Sequence, residues 1–173
     1  MKITKEVRNI ILTVIVSTIL SIALFVLPID YKQLGNWGYL GLFIGVFWGS
    51  ATIILPTPAF AFTIIAGKFL NPYLVGIVSG AAATLGELVG YYVGHETSQL
   101  LKTKPSYKLV EKFVRKFGFF FLLFFAMIPN PLFDLAGIAA GTMNMPVWQY
   151  VVAVFIGKSI RFILLALGGN ALS

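Results

Sequence analysis

Four ionisable side chains stand inside apolar stretches of this 173-residue chain: Glu87, Asp134, Lys158 and Arg161. Each costs roughly 2.5–3.5 kcal/mol at the centre of a membrane helix on insertion scales, so each should face protein or water and find a partner. One chemistry that fits the set is internal pairing, in which Glu87 or Asp134 neutralises Lys158 or Arg161. A second is a polar track. Lys158 and Arg161 are three residues apart and share a helix face, where they would attract a phosphate headgroup while its tails stay in lipid. Asn130 and the amides of broken helix ends would add polar contacts. A proton relay through Glu87 and Asp134 is a third reading. Asp134 falls near the start of a half-helix, where a carboxylate also interacts well with exposed amides. Glu87 sits between Gly86 and Gly90, on a small-residue face that points toward a neighbouring helix.

Other chemistry is poorly supplied. The chain has no cysteine and one histidine, His95, which excludes thiolate metal sites and multi-histidine zinc sites. No nucleophile–base pair or phosphate-cradling loop is visible, so the chain is not expected to be an enzyme, and no cofactor is expected. His95 and Glu96 lie at the end of an apolar span and read as interfacial. Lys68 is placed to snorkel.

The elements that must hold these residues are membrane helices. Hydrophobic residues make up 58% of the chain and charged residues 11%, against a usual charged share of about 25%. So few charges cannot cover a soluble surface. The net charge of +7 gathers beside apolar runs, as the positive-inside bias requires, and not on a solvated face suited to nucleic acid. A span needs about 20 apolar residues. Segments 9–27, 72–95 and 146–169 meet this. The first follows Lys2, Lys5 and Arg8, but it is long for a signal core and no small-x-small site follows it, so it reads as a retained helix.

Two further regions are apolar but interrupted. Residues 37–70 break at Pro56-Thr57-Pro58, and residues 117–143 break at Pro129-Asn130-Pro131. Prolines one residue apart remove two backbone donors and push their neighbours out of the helical region. The pieces after the breaks, about 59–70 and 132–143, are too short to span. Each region reads as a re-entrant hairpin with its tip inside the membrane, which survives only when buried in protein or lining a watery cavity.

The two regions match. Pro56-Thr57-Pro58-Ala59-Phe60 aligns with Pro129-Asn130-Pro131-Leu132-Phe133, then Ala66-Gly67 with Ala140-Gly141, Pro72 with Pro146 and Glu87 with Arg161. The predicted fold is all-α and polytopic. A leading helix and loop (1–36) precede repeat one (37–95), a basic cytoplasmic loop (96–116) and repeat two (117–169). Each copy crosses once, so the copies are inverted. Lys102, Lys104, Lys108, Lys112, Arg115 and Lys116 mark the cytoplasmic side, together with the N-terminus. Glycines at four-residue spacing, Gly41, Gly45 and Gly49, then Gly86, Gly90 and Gly94, predict close helix packing.

The run Ile128-Pro129-Asn130-Pro131-Leu132-Phe133-Asp134-Leu135-Ala136-Gly137-Ile138, with Pro146-Val147-Trp148 and Ile156-Gly157-Lys158, carries a family resemblance. Over about residues 37–169 the chain resembles the DedA family, also called the VTT or SNARE-associated Golgi domain, and within it the eukaryotic vacuole-membrane branch. The resemblance implies hairpins in an inverted repeat. It also implies lipid movement: phospholipid scrambling in eukaryotic members, recycling of undecaprenyl phosphate in bacterial ones. Bacterial members usually carry arginines flanking the second-hairpin prolines, where this chain has Ala126 or Met127 and Leu132. They often carry an acidic residue after the first prolines, where Ala59 to Phe62 are apolar. These departures favour the scramblase-like branch over a proton-coupled carrier. The expected partners are membrane phospholipids in the cell membrane, with no nucleic acid and with a homo-oligomer left open.

Overall fold

A computed structural model describes residues 36–51, 59–101, 105–130 and 132–171. The expected leading helix 9–27, the residues Pro56 and Pro58, and Pro131 lie outside the described residues. Every described element is a helix: α1 (Asn36–Ala51), α2 (Ala59–Phe69), α3 (Pro72–Leu101), α4 (Pro105–Met127), α5 (Phe133–Thr142) and α6 (Val147–Ala171). Two stretches are long and apolar enough to cross a membrane, Pro72–Tyr92 of α3 and Val147–Ala171 of α6. They correspond to the predicted spans 72–95 and 146–169.

Both long helices open on a proline-assisted start. The Asn71 side chain accepts hydrogen bonds from the backbone N–H groups of Tyr73 and Leu74 at 3.0 and 3.3 Å. That satisfies donors a helix start otherwise leaves free, while Pro72 has no N–H to lose. Ahead of α6, α5 ends in a Schellman turn. Met145 N–H reaches the Ala140 carbonyl, Asn144 N–H reaches that of Gly141, and Asn144 takes the left-handed conformation at φ 53°.

Packing centres on α3 and α6, which form the most extensive helix pair. They run antiparallel: Gly76 faces Ile163 and Gly80 faces Ser159. Each short helix then leans on the long helix of the other half. α2 packs mainly on α6, and α5 packs on α3. Two apolar clusters result. One joins Leu42, Val46, Ala66, Val75 and Phe162. The other joins Tyr91, Leu122, Phe133, Tyr150 and Val154. The outer faces are apolar too. Trp37, Leu40, Ile44 and Trp48 line α1, and Trp148, Val152, Ile156, Ile160 and Leu164 line α6, all exposed. Exposed apolar stripes of this length fit a lipid solvent.

Two expectations need correction. The basic segment 96–116 is not an extended loop: residues 96–101 continue α3 and 105–116 open α4. In α4 the residues Tyr107, Val110 and Val114 are buried, whereas Lys108, Lys112, Arg115 and Lys116 are exposed. This i, i+3, i+7 apolar pattern, read as mere charge density, is what makes the segment helical. The helix bends at Gly118, whose φ of 46° is a left-handed value that glycine adopts without a steric penalty.

The glycine stripes need correction at Gly41 and Gly90. A Cβ on Gly41 or Gly90 would meet nothing within 4 Å, and one on Gly45 would meet only the Phe62 ring. Between α3 and α6 the close approaches lie at Gly76 and Gly80, where a Cβ would stand 2.2 Å from Ile163 Cγ1 and from Ser159 Oγ, with backbone atoms of both partners within 3 Å. Gly76→Ala should therefore push α3 from α6 and destabilise the protein by about 1–3 kcal/mol. Gly90→Ala should be neutral or stabilising by up to about 1 kcal/mol, from helix propensity alone. Thermal unfolding of both variants in detergent checks this, and equal shifts would contradict the packing assigned to Gly76.

Candidate functional site

The charged residues lie on the seam between the two apolar clusters. On α3, Ala83 belongs to one cluster and Tyr91 to the other, with Glu87 between them. On α6, Val154 and Phe162 are likewise divided by Lys158 and Arg161. All three charged side chains are buried: Glu87 is 8% exposed, Lys158 3% and Arg161 7%. Lys158 stands midway along α6.

Lys158 Nζ donates to Glu87 Oε1 at 2.6 Å. Of the pairings the sequence allows, the structure forms this one. The bridge joins the two spans directly. The Lys158 ammonium also stands 4.8 Å from the centre of the Phe133 ring. Arg161, one turn along, repeats that arrangement with the other half: its Cζ lies 5.1 Å from the Phe60 ring and 5.1 Å from Phe162. Such contacts stabilise a desolvated cation through the ring quadrupole. Phe60 and Phe133 are the aromatic residues that follow the two proline breaks. The short helices α2 and α5, which follow those proline pairs in the sequence, each cover one cation of α6 with their first turn.

Arg161 lacks what Lys158 has. Its Nε is buried without a hydrogen-bond partner among the described residues. It feels the charge of Glu87, whose carboxylate already holds Lys158. Asp134, beside Phe133 on α5, is partly buried. It interacts electrostatically with Glu87 and Lys158 without touching them as an ion pair. The cluster is thus one closed bridge with a carboxylate at one side and a guanidinium at the other.

Asn130 is hydrogen-bonded within the second break. Its Nδ2 donates to the carbonyls of Phe125 and Ile128 at 3.0 and 2.9 Å, and its Oδ1 accepts from Leu132 N–H at 3.1 Å. The Phe125 carbonyl would, in a continuous helix, bond the N–H of residue 129. That residue is Pro129 and has none, so the Asn130 amide replaces it. Asn130 holds the break of the second half in shape. Pro129 lies in that break, between the end of α4 and the start of α5.

Sequence reasoning missed several polar neighbours. Tyr150, fully buried on α6, directs its hydroxyl toward the Glu87 carbonyl at 3.5 Å. Tyr91 bonds the Met145 carbonyl, tying α3 to the turn before α6. Thr63 and Ser79, also buried, pair at 3.1 Å between α2 and α3. Buried hydroxyls in an apolar run are a legible signal, because each must find an acceptor. Among the described residues no group of three or more histidine, aspartate or glutamate side chains is placed to hold a metal.

The bridge gives a direct test. Glu87→Gln or Lys158→Met alone leaves an unmatched charge in a dry site and should cost about 3–5 kcal/mol, while the double substitution should recover most of that loss. A double-mutant cycle read by thermal unfolding measures the coupling. Purely additive losses would contradict a direct bridge.

Comparison with known proteins adds an independent line. The model of the VTT domain matches residues 56–171. An uncharacterised protein of Methanocaldococcus jannaschii is 30% identical over 73% of this chain and 80% of its own length. A vacuole membrane protein 1 homolog of Dictyostelium discoideum is 36% identical over 47% of this chain and 27% of its own. Vacuole membrane protein 1 of Homo sapiens is 55% identical over 30% of this chain and 13% of its own. The chain thus spans about a quarter or less of the vacuole membrane proteins it matches. No solved structure matches it. The family model covers more than half of the sequence, and the chain belongs to the VTT-domain family, the DedA group of membrane proteins.

Proposed function

We propose that this protein moves phospholipid between the leaflets of the cell membrane, in the manner of a scramblase. The headgroup follows a polar track where the two half-helices begin, and the acyl tails remain in lipid. The observation that carries this reading is the seam of buried Glu87, Lys158 and Arg161, with partly buried Asp134 beside them, midway along α6. Ionisable groups inside a membrane bundle are costly, and they mark substrate or ion pathways. A path for a charged headgroup needs them. Family membership is consistent with transport across or within a membrane.

The same reading makes the fold an inverted repeat of re-entrant hairpins, residues 37–95 and 117–169, after a leading helix. Contacts at the helix ends support it. Asn71 N–H at the end of the α2 segment donates to the Tyr39 hydroxyl near the start of α1, which supports a hairpin that enters and leaves on one side. The bond of Tyr91 to the Met145 carbonyl, between α5 and α6, supports a second hairpin that opens toward the opposite side. The contacts of Phe60 with Arg161 and of Phe133 with Lys158 support tips that reach the middle of α6. On this plan the N-terminus and the basic segment are cytoplasmic and the end of α6 is outside. Cysteines introduced singly at Lys108 and Ser173 of this cysteine-free chain should label from opposite membrane faces. Labelling from one face would sink the inverted arrangement.

Purified protein in vesicles carrying a fluorescent phospholipid in both leaflets tests the activity. External dithionite should bleach nearly all the signal, against about half in protein-free vesicles. Bleaching of only the outer half would refute lipid movement and leave a solute transporter or scaffold. Pro129→Ala with Pro131→Ala should favour a continuous helix through the break, since each proline disfavours it by about 3 kcal/mol. Insertion should survive and lipid movement fall. Unchanged movement would show that the second break is dispensable.

A further inference from the structure

Arg161 and Lys158 occupy near-equivalent settings with unequal partners. Both are more than nine-tenths buried, and both lie over the ring of the phenylalanine that opens a half-helix. Lys158 then closes on Glu87. No hydrogen bond or ion pair joins Arg161 to any described residue, and its Nε–H is sealed from solvent without an acceptor. A ring attracts the charge but offers no lone pair in the plane of the guanidinium, where five N–H donors point outward. Asp134 does not fill the gap. Its interactions run to Glu87 and Lys158, on the other side of the bridge.

We infer that Arg161 is an anion-binding residue and that its ligand is a phosphate group. The Lys158 charge is already matched, so the task of holding a phosphate falls on Arg161 and not on the two cations together. A guanidinium presents a planar fork that fits two oxygens of a phosphate. Phe60 is the second residue of α2, an eleven-residue helix, so the helix end that favours negative charge lies beside the same guanidinium. Phe60 and Phe162 supply the apolar walls. The phosphate comes from a lipid headgroup or from free phosphate. This assignment rests on the lipid-moving reading for its biological sense but not for its chemistry, and the two fail separately.

Ligand-dependent thermal stabilisation of the full chain, in a detergent without phosphate, reads the site directly. The probes are dihexanoylphosphatidylcholine below its micelle concentration, inorganic phosphate, and dihexanoylglycerol as the phosphate-free match. Wild type should be stabilised by the phospholipid and not by the diacylglycerol. Arg161→Gln should raise the half-saturating concentration about tenfold or more, as expected for lost charge-assisted hydrogen bonds. Arg161→Lys, which keeps the charge and loses the fork, should fall between. Lys68→Gln, a cation on the same short helix system but outside the seam, should match wild type. Equal stabilisation by inorganic phosphate would identify free phosphate as the ligand; stabilisation by the phospholipid alone would identify the headgroup. Wild-type binding in Arg161→Gln and Arg161→Lys overturns the proposal, as does an equal loss in Lys68→Gln. If binding follows Arg161 but vesicles show no lipid movement, the function proposed above falls and the site stands. If lipid moves and both Arg161 variants bind normally, the site falls and the function stands.

Discussion

Two cations three residues apart in the dry middle of α6 set the terms for the rest of the molecule. A desolvated charge must be matched, hydrogen-bonded or covered. The neighbours of α6 divide that work. α3 brings Glu87 to Lys158, which requires the two spans to approach closely. Gly76 and Gly80 allow the approach on the side of Ile163 and Ser159. α5 brings Phe133 over Lys158, and α2 brings Phe60 over Arg161. Remove the cations and there is no electrostatic reason for four helices to converge at one depth.

The convergence depends on broken helices. A continuous helix presents only side chains to its neighbours, and its backbone donors and acceptors are consumed internally. A break at mid-depth frees backbone groups where water is scarce, and each must be satisfied locally. Asn130 does this for the second half by replacing the N–H that Pro129 lacks and by accepting from Leu132. The break then starts α5 at Phe133, so the first turn of that half-helix stands beside Lys158. The residue that preserves the break and the residues that bear the charge are therefore different, although both belong to the motif Pro129-Asn130-Pro131-Leu132-Phe133-Asp134.

Much of this was legible in the sequence, because the strongest constraints are local. Proline pairs forbid a helix wherever they occur, so the break at Pro129 and the short helices at about 59–70 and 132–143 could be read from spacing alone. So could the long spans, from apolar length. The buried charges announced themselves as ionisable groups in apolar runs. Their partners did not. The choice of Lys158 over Arg161 for Glu87 depends on how far α3 is displaced along α6, and no periodicity records that. The glycine spacing misled for a related reason. A four-residue stripe says that one helix face is smooth, but not which face meets a neighbour, and Gly41 and Gly90 face open space. The basic segment misled because its charge density masked Tyr107, Val110 and Val114, whose spacing buries one helix face.

The proposed repeat also explains why the seam is lopsided. Aligned on their breaks, the halves place Phe60 with Phe133, and this aromatic pair does the same thing twice. The charged positions do not correspond in kind. Asp134 falls opposite Ala61, Lys158 opposite Thr84, and Arg161 opposite Glu87. Thr84 bonds the Gly80 carbonyl of its own helix and contributes no charge to the seam. Both cations are thus carried by α6, and the carboxylates by α3 and α5. A symmetric scaffold with charges distributed this way cannot offer the same surroundings at both tips. The tip at Phe133 faces a matched pair with a carboxylate beside it, and the tip at Phe60 faces an unmatched guanidinium. On the proposed function, a phosphate meets an unmatched cation at the Phe60 end and a matched pair at the Phe133 end. If the backbone is duplicated as proposed, divergence of a few side chains makes its two ends chemically distinct.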